Sequence, residues 1–163
     1  MQSDDSGTKC SSFDWEALYL KLERLAQGLI SPESSLDSYH KAIESSGNVE
    51  AQAVLIHMRM GRFLSYYKEK LGISKAEFNF KLRDLLADDQ VVDAKRTARE
   101  RRLIAENILM DEELEIASFT DMVSKINAYR ECVDRVITLA KNHRSDLSKR
   151  IKIINVQTEI GEY

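Results

Sequence analysis

Basic and aromatic residues recur at helical spacing in the segment HMRMGRFLSYYKEKLG, residues 57–72. This basic stripe consists of Arg59, Arg62, Tyr66 and Lys70, at intervals of three and four residues, so a helix would place its members on one arc. Guanidinium and ammonium groups bind phosphates, and an aromatic ring can stack on an unpaired base. The stripe therefore predicts a surface for single-stranded nucleic acid. The alternative is a solvated helix face, with Tyr66 packed against a neighbour and Glu69 partly neutralising the cations.

A second basic segment, AKRTARERR, covers residues 94–102. Its cations on one helical face are Lys95, Arg99 and Arg102. They could extend a track of phosphate contacts along the molecule. However, Arg96 can pair with Glu100, and Arg102 with Glu106, at a spacing of four residues. These pairings favour an ordinary solvated face, so the basic stripe is the stronger candidate.

Few residues suggest catalysis or metal binding. His40, His57 and His143 lie on separate predicted helices without His-x-x-x-His or Glu-x-x-His spacing, so neither a zinc nor a di-iron site is indicated. No glycine-rich phosphate loop occurs. Cys10 and Cys132 are far apart and show no metal or disulfide spacing. The sequence predicts a protein that is not an enzyme and needs no cofactor.

The positive charge is concentrated in the middle of the chain, although the net charge is −3. Residues 1–50 carry 4 Lys or Arg and 9 Asp or Glu, for a net charge of −5. Residues 51–110 carry 12 and 8, net +4, and residues 111–163 carry 8 and 10, net −2. A local basic zone of this kind indicates an anion-binding region rather than a wholly basic nucleic-acid binder.

The N-terminus and the hydropathy of the sequence indicate where in the cell the protein is expected. The acidic, polar N-terminus lacks the apolar region of a secretory signal, and no apolar run is long enough to span a bilayer. We therefore expect a cytoplasmic protein without a membrane partner.

The composition favours helices, because one proline and six glycines leave few helix breakers. We expect an all-α, multi-helix domain over residues 13–153 with a basic middle section, 51–110. A disordered leader, 1–12, would precede it and a polar tail, 154–163, would follow. Helices are predicted over 13–28, 31–47, 48–72, 74–87, 90–110 and 119–153, from capping residues such as Ser31, Ser74 and Ser118 and from glycines at the ends. The core face of the helix over 48–72 would hold Ile56, Met60, Phe63, Leu64, Tyr67 and Leu71.

The last predicted helix carries the most regular apolar pattern in the chain. Intervals of three and four residues continue over about four heptads, the geometry of a coiled coil or helical bundle. This heptad seam consists of Phe119, Met122, Ile126, Tyr129, Val133, Val136, Ala140, His143 and Leu147. A long C-terminal oligomerisation helix is predicted, because the seam is long and its opposite side is charged. An intramolecular core face is the alternative. We expect His143 to be packed or hydrogen-bonded rather than a ligand.

Two segments carry a resemblance to a known family. VEAQAVLIHMRMGRFLSYYKEK has a basic pair closely followed by a tyrosine doublet, and KINAYRECVDRVITLAKNHRSDLSKRI has an early aromatic residue and late basic residues. The acidic MDEELE precedes the second segment. Over its C-terminal two-thirds the chain thereby resembles the UvsY-like recombination mediators of tailed phages.

The resemblance implies a homo-oligomer that binds single-stranded DNA. Such a protein helps to load a strand-exchange recombinase onto DNA coated by single-strand-binding protein. It thereby takes part in DNA recombination, repair and replication. By position, the DNA-contacting pair of the family would be Arg59 and Arg62, with Lys68 or Lys70 nearby. The family's oligomerisation helix would correspond to the heptad seam.

A protein of another class would also fit the sequence. A helical structural or assembly protein of a phage, such as a scaffold or chaperone, could oligomerise through the same seam and bind no nucleic acid. A salt-dependent affinity for a single-stranded oligonucleotide separates the two hypotheses.

Overall fold

The computed structural model describes residues 13–88 and 97–161. Of the described residues, 91% are helical and none lies in a strand, which confirms the all-α, multi-helix prediction. The helices are α1 (Trp15–Gln27), α2 (Leu36–Ala87), α3 (Ala98–Ile108) and α4 (Met110–Gly161). The predicted leader, with Cys10, and residues Lys95 and Arg96 lie outside the described residues.

The ends of α1 and the start of α3 follow from local capping. Asp14 caps α1, accepting a hydrogen bond from the amide of Ala17 at 3.0 Å, and the helix ends before Gly28, close to the prediction. A capping box starts α3: the Thr97 hydroxyl accepts from the Glu100 amide, and the Glu100 carboxylate accepts from the Thr97 amide. That box lies within the second basic segment, and sequence reasoning missed it.

Helix α2 continues through two glycines that were predicted to end helices. Gly47 and Gly72 are helical, and Ser74, predicted to cap a new helix, is buried in the middle of α2 with its hydroxyl 3.4 Å from Glu115. A glycine inside a helix costs about 1 kcal/mol relative to alanine. Apolar positions continue on one face past both glycines, so burial of that face outweighs the cost. The start also differs, because α2 begins at Leu36 rather than after Ser31.

Helix α4 is longer at both ends than the predicted helix over 119–153. Asp111, Glu112 and Glu113 form its first turn, where carboxylates interact favourably with the positive end of the helix dipole. The acidic segment therefore starts the helix, although residues 111–118 lay between two predicted helices. At the other end α4 continues to Gly161, so the described part of the predicted polar tail is helical.

The chain divides into two compact units. The first unit comprises Met1–Glu50 and Thr138–Tyr163, and the second comprises Ala51–Ile137. The bounds of the second unit contain the whole of the basic middle section, 51–110, and with it the basic stripe.

In the first unit, α1 and the neighbouring parts of α2 and α4 enclose a small core. Its buried apolar residues are Leu22, Ala42, Val49, Ala140 and Leu147. The single tryptophan, Trp15, stacks on Phe13 at the start of α1, with 5.3 Å between ring centroids. The hydroxyl of Ser45 donates to the Gly28 carbonyl at 2.5 Å, which ties the end of α1 to α2.

Polar side chains join α2 to α4 within the same unit. Ser46 is 0% exposed, donates to the Ala42 carbonyl at 2.8 Å, and lies 2.8 Å from His143 Nδ1. Since the hydroxyl has only one proton, His143 must donate to Ser46 from Nδ1. This confirms His143 as a hydrogen-bonded residue. Nearby, Glu50 pairs with Arg144 at 2.9 Å.

In the second unit, α2 and the first half of α4 run antiparallel. Tyr67 of α2 contacts Phe119 of α4, with ring centroids 6.2 Å apart, and Lys81 pairs with Glu112 at 2.7 Å. The hydrogen bond between these two charged groups raises the pKa of Lys81 and lowers the pKa of Glu112. Arg101 of α3 donates to the Leu86 carbonyl at 2.6 Å, and thereby satisfies a carbonyl at the end of α2.

The heptad seam is a core face of the single chain. Six of its predicted interface residues are at most 8% exposed: Ile126, Tyr129, Val133, Val136, Ala140 and Leu147. The other two, Phe119 and Met122, are half-buried. The burial of these six residues within one chain favours the alternative, an intramolecular core face, over an oligomer interface. A second copy has little of this surface left to contact, because the chain's own helices already cover it.

Candidate nucleic-acid interface

The basic stripe and the core occupy different faces of α2 in the second unit. Met60, Leu64 and Tyr67 are buried at 5–6% exposure, as predicted for the core face. One residue advances about 100° around a helix, so Arg59, Arg62 and Lys70 point away from that core. All three are exposed. The structure therefore brings the members of the basic stripe together on the surface.

The ring of Tyr66 is held in place while it remains accessible. Tyr66 is 45% exposed, and its ring meets the buried ring of Tyr67 edge-on, with centroids 5.3 Å apart. Lys70 Nζ lies 5.8 Å from the Tyr66 centroid, within the range of a cation–π interaction. An aromatic ring fixed by a buried neighbour can receive a stacking partner with less loss of side-chain entropy.

Phe63 also lies beside the basic stripe, and its assignment to the core is wrong. It is 43% exposed, whereas the next residue, Leu64, is 6% exposed and takes the core position. On the helix, Phe63 lies within about 60° of Arg59 and Tyr66. The spacing Phe-x-x-Tyr on the arginine side could have revealed it. We call the resulting surface the basic–aromatic face: Arg59, Arg62, Phe63, Tyr66 and Lys70.

Lys68 does not belong to this face. It is exposed, but two residues along a helix correspond to a rotation of about 200°, so Lys68 lies on the side of α2 opposite Tyr66 and Lys70. The resemblance had allowed Lys68 or Lys70 as the third cation. The helical geometry favours Lys70.

The two arginines of the basic–aromatic face have no nearby carboxylate in the sequence, whereas Glu69 adjoins Lys70. Residues 51–68 contain no Asp or Glu. Within the part of the chain that the structure describes, Arg59 and Arg62 make no ion pair or side-chain hydrogen bond, whereas Arg144, Lys81 and Arg102 all pair with carboxylates. Two exposed guanidinium groups without an internal partner are available to phosphates.

The second basic segment is a weaker candidate. Lys95 lies outside the described residues, and Arg99 is exposed near the start of α3. Arg102 pairs with Glu106 at 2.7 Å, as the spacing predicted. Glu100, the predicted partner of Arg96, also belongs to the capping box with Thr97, and Arg96 lies outside the described residues. Arg102 would have to give up a good ion pair to bind a phosphate.

His57, Arg130 and Asp134 form a polar cluster that joins α2 to α4. His57 Nε2 lies 2.9 Å from Arg130 Nη2 and 3.3 Å from Asp134 on α4. The same ring nitrogen therefore faces both a guanidinium donor and a carboxylate acceptor. Across residues 13–88 and 97–161, no group of three His, Cys, Asp or Glu side chains could hold a metal ion. Cys132 is a free, half-buried thiol.

An open groove of about 360 Å³ lies between the end of α2 and the α3–α4 junction. Phe80, Leu85, Ile108 and Leu109 supply its apolar lining, and Lys81, Asp84 and Asp88 supply its polar groups. This lining holds no hydroxyl, thiol or imidazole, and the groove lacks the two arginines of the basic–aromatic face.

Comparisons with protein-family models, with curated proteins and with solved structures find no match to this chain. No helix in the described ranges is long and apolar enough to cross a membrane.

Proposed function

We propose that the protein binds single-stranded DNA through the basic–aromatic face of α2. The observation that carries the proposal is the exposure, on one side of one helix, of two unpaired arginines next to two aromatic rings. Phosphates would contact Arg59 and Arg62, and unpaired bases would stack on Phe63 and Tyr66. A duplex keeps its base faces stacked inside, so this combination favours single strands.

The biological role that we propose is recombination mediation. It rests on the resemblance of the segments around residues 49–70 and 125–151 to the phage recombination mediators. In this role the protein would load a strand-exchange recombinase onto DNA coated by single-strand-binding protein. The acidic charge outside the middle section would offer a surface for basic regions of those partners.

Titration of a fluorescent poly-dT oligonucleotide at low and high salt tests DNA binding. We expect binding that weakens steeply with salt, because each phosphate contact releases counterions. The variant Arg59→Ala/Arg62→Ala should bind at least about tenfold more weakly. It should also reduce the slope of log affinity against log salt by about 1.4, from two lost contacts at about 0.7 each.

The matched control is Lys68→Ala/Lys75→Ala. It removes the same charge from exposed positions of the same helix, on the side away from the basic–aromatic face. We expect its affinity to remain close to that of the wild type. If both double variants lose affinity equally, the binding is a general effect of net charge and the face is not the site. A wild-type protein that ignores the oligonucleotide at low salt contradicts the proposal altogether.

The second candidate function is that of a helical assembly protein that binds no nucleic acid. The observation that favours it is the number of large apolar side chains that stay more than half exposed, such as Leu55 and Met58 on α2 and Leu114 on α4. Exposed apolar rows commonly mark protein contacts. Self-association without any oligonucleotide binding would favour this candidate.

A further inference from the structure

The last turns of α4 carry an apolar row that the chain leaves uncovered. Ile153, Val156 and Ile160 are 57%, 51% and 71% exposed. Their intervals of three and four residues place them on one arc of the helix. Val156 follows the buried Leu147 by nine residues, a rotation of about 180°, so this arc faces away from the core. We call these three residues the C-terminal apolar stripe.

Positive charge accompanies this stripe. Lys152 is exposed and precedes Val156 by four positions, which places it beside that residue. Lys149 lies beside Ile153 in the same way but pairs with Asp146 at 3.3 Å. Two stripes packed in parallel would bring like charges together, which disfavours pairing of the stripe with itself. The partner that fits is a helix face with apolar side chains and carboxylates.

The beginning of α4 presents such a face in the second unit. Met110 and Leu114 are four residues apart, and they are 56% and 58% exposed. Asp111 and Glu113 are exposed in the same turn. The helix start favours carboxylates there. We call these four residues the acidic–apolar patch.

We propose that the C-terminal apolar stripe of one copy packs on the acidic–apolar patch of a second copy. Each surface has two exposed apolar residues four positions apart, and Lys152 beside the stripe has the opposite charge to Asp111 and Glu113 of the patch. Because they are different surfaces of one chain, the contact is head-to-tail, and repetition gives a closed ring or an open filament. The contact is independent of the proposed DNA binding, since it uses none of the basic–aromatic face.

The size of the two surfaces sets the strength of the contact. A standard interface involves about 20–30 residues from each partner, and the stripe and patch together contain far fewer exposed apolar side chains. Self-association should therefore be weak, concentration-dependent and reduced by salt. Sedimentation velocity over a concentration series at two salt concentrations measures it, against a monomer mass of 18.7 kDa.

The variant Val156→Asp should weaken self-association at least about tenfold, because it places a carboxylate in the apolar contact and opposite other carboxylates. Leu20→Asp is the matched control: Leu20 is also an exposed helical residue of the first unit, at 46%. It should associate like the wild type. A wild-type protein that remains monomeric at several hundred micromolar, or a Val156→Asp protein that associates normally, overturns the proposal.

A mixing experiment tests whether the stripe meets the patch. Glu113→Lys reverses a charge of the patch but leaves the stripe intact, and Lys152→Glu does the opposite. Each variant alone should be mostly monomeric. Mixed together, they should regain association, since an intact stripe then meets an intact patch and the two reversed charges also attract each other. Normal self-association of Glu113→Lys, or a mixture that stays monomeric, would show that the patch is not the partner.

The DNA-binding proposal can be wrong while the self-association proposal is right, and an experiment separates the two. Val156→Asp should bind a dT oligonucleotide short enough to contact one subunit with wild-type affinity. Loss of self-association with retained binding supports both proposals separately. Self-association without any binding would leave the head-to-tail contact in place and remove only the DNA site.

Discussion

The heptad seam of α4 and the basic–aromatic face of α2 are both regular helical patterns, but the seam is buried and the basic–aromatic face is exposed. Ile126, Tyr129 and Val133 are each 0% exposed, whereas Phe63 and Tyr66 are 43% and 45% exposed. The seam therefore contributes to folding, since its apolar area is already removed from water. The basic–aromatic face leaves its rings and arginines in solvent. A separate face of the same helix packs into the core and contributes to folding. A helix with an exposed second pattern has surface available for a ligand.

The strongest test of this contrast is Val133→Asp. It places an unpaired carboxylate at a fully buried position, which should lower the free energy of unfolding by about 3–5 kcal/mol. Urea titration followed by circular dichroism measures the loss. Leu139→Asp, at 52% exposure on the same helix, should change stability by no more than about 0.5 kcal/mol. If the Val133→Asp protein were as stable as the wild type and only its oligomer dissociated, the seam would instead be an oligomer interface.

The exposed rings provide the next largest effect. Phe63→Ala and Tyr66→Ala should each weaken poly-dT binding by about 1–3 kcal/mol, the contribution of one stacked base. Fluorescence titration measures the affinity. Phe80→Ala is the control, because Phe80 is also an exposed aromatic residue of α2, at 58%, but lies four turns further along. Equal losses for all three variants would mean that exposed rings act non-specifically.

The comparison of buried and exposed positions also applies to two serine hydroxyls. Ser46→Ala should destabilise the protein by about 1–3 kcal/mol, because His143 Nδ1 and the Ala42 carbonyl lose their common partner. Ser65→Ala should have almost no effect, since Ser65 is exposed and its hydroxyl only donates to the Gly61 carbonyl. Urea denaturation at neutral pH compares the two. Equal stabilities would indicate that water replaces the Ser46 hydroxyl.

The smallest expected effect concerns the exposed ion pair of Lys81 and Glu112. Because the pKa of Glu112 is lowered in the folded state, its contribution to stability is present above the ordinary carboxyl pKa and is lost as the pH falls through the lowered value. Glu112→Gln should therefore be slightly less stable than the wild type at neutral pH and equally stable in acid. Thermal denaturation at several pH values measures the difference. A difference that persists or grows in acid would contradict the assignment.

Helix content could be predicted from sequence, but helix ends could not always be. The Asp14 cap and Gly28 act locally, so the bounds of α1 were close to the prediction. Gly47, Gly72 and Ser74 carry the same local signals inside α2, yet tertiary packing of a continuous apolar face outweighs them. Local signals cost or gain about 1 kcal/mol each, and burial of several side chains exceeds that.

The candidate site could likewise be predicted from the sequence only in part. The exposure of Arg59, Arg62 and Lys70 followed from their spacing, because the core face lies on another arc. Phe63 and Leu64 are adjacent and both apolar, so the pattern alone could not decide which of them faces the core. The seam had a related ambiguity, since heptad spacing does not distinguish a partner helix of the same chain from one of another copy.

The position of Trp15 makes the two units separately observable by spectroscopy. The only indole of the chain lies in α1 of the first unit, so its emission reports on that unit alone, while circular dichroism at 222 nm reports on helix in both. Coincident denaturation curves would indicate that the units unfold as one cooperative system. A tryptophan transition that precedes the loss of ellipticity would indicate that the first unit unfolds on its own.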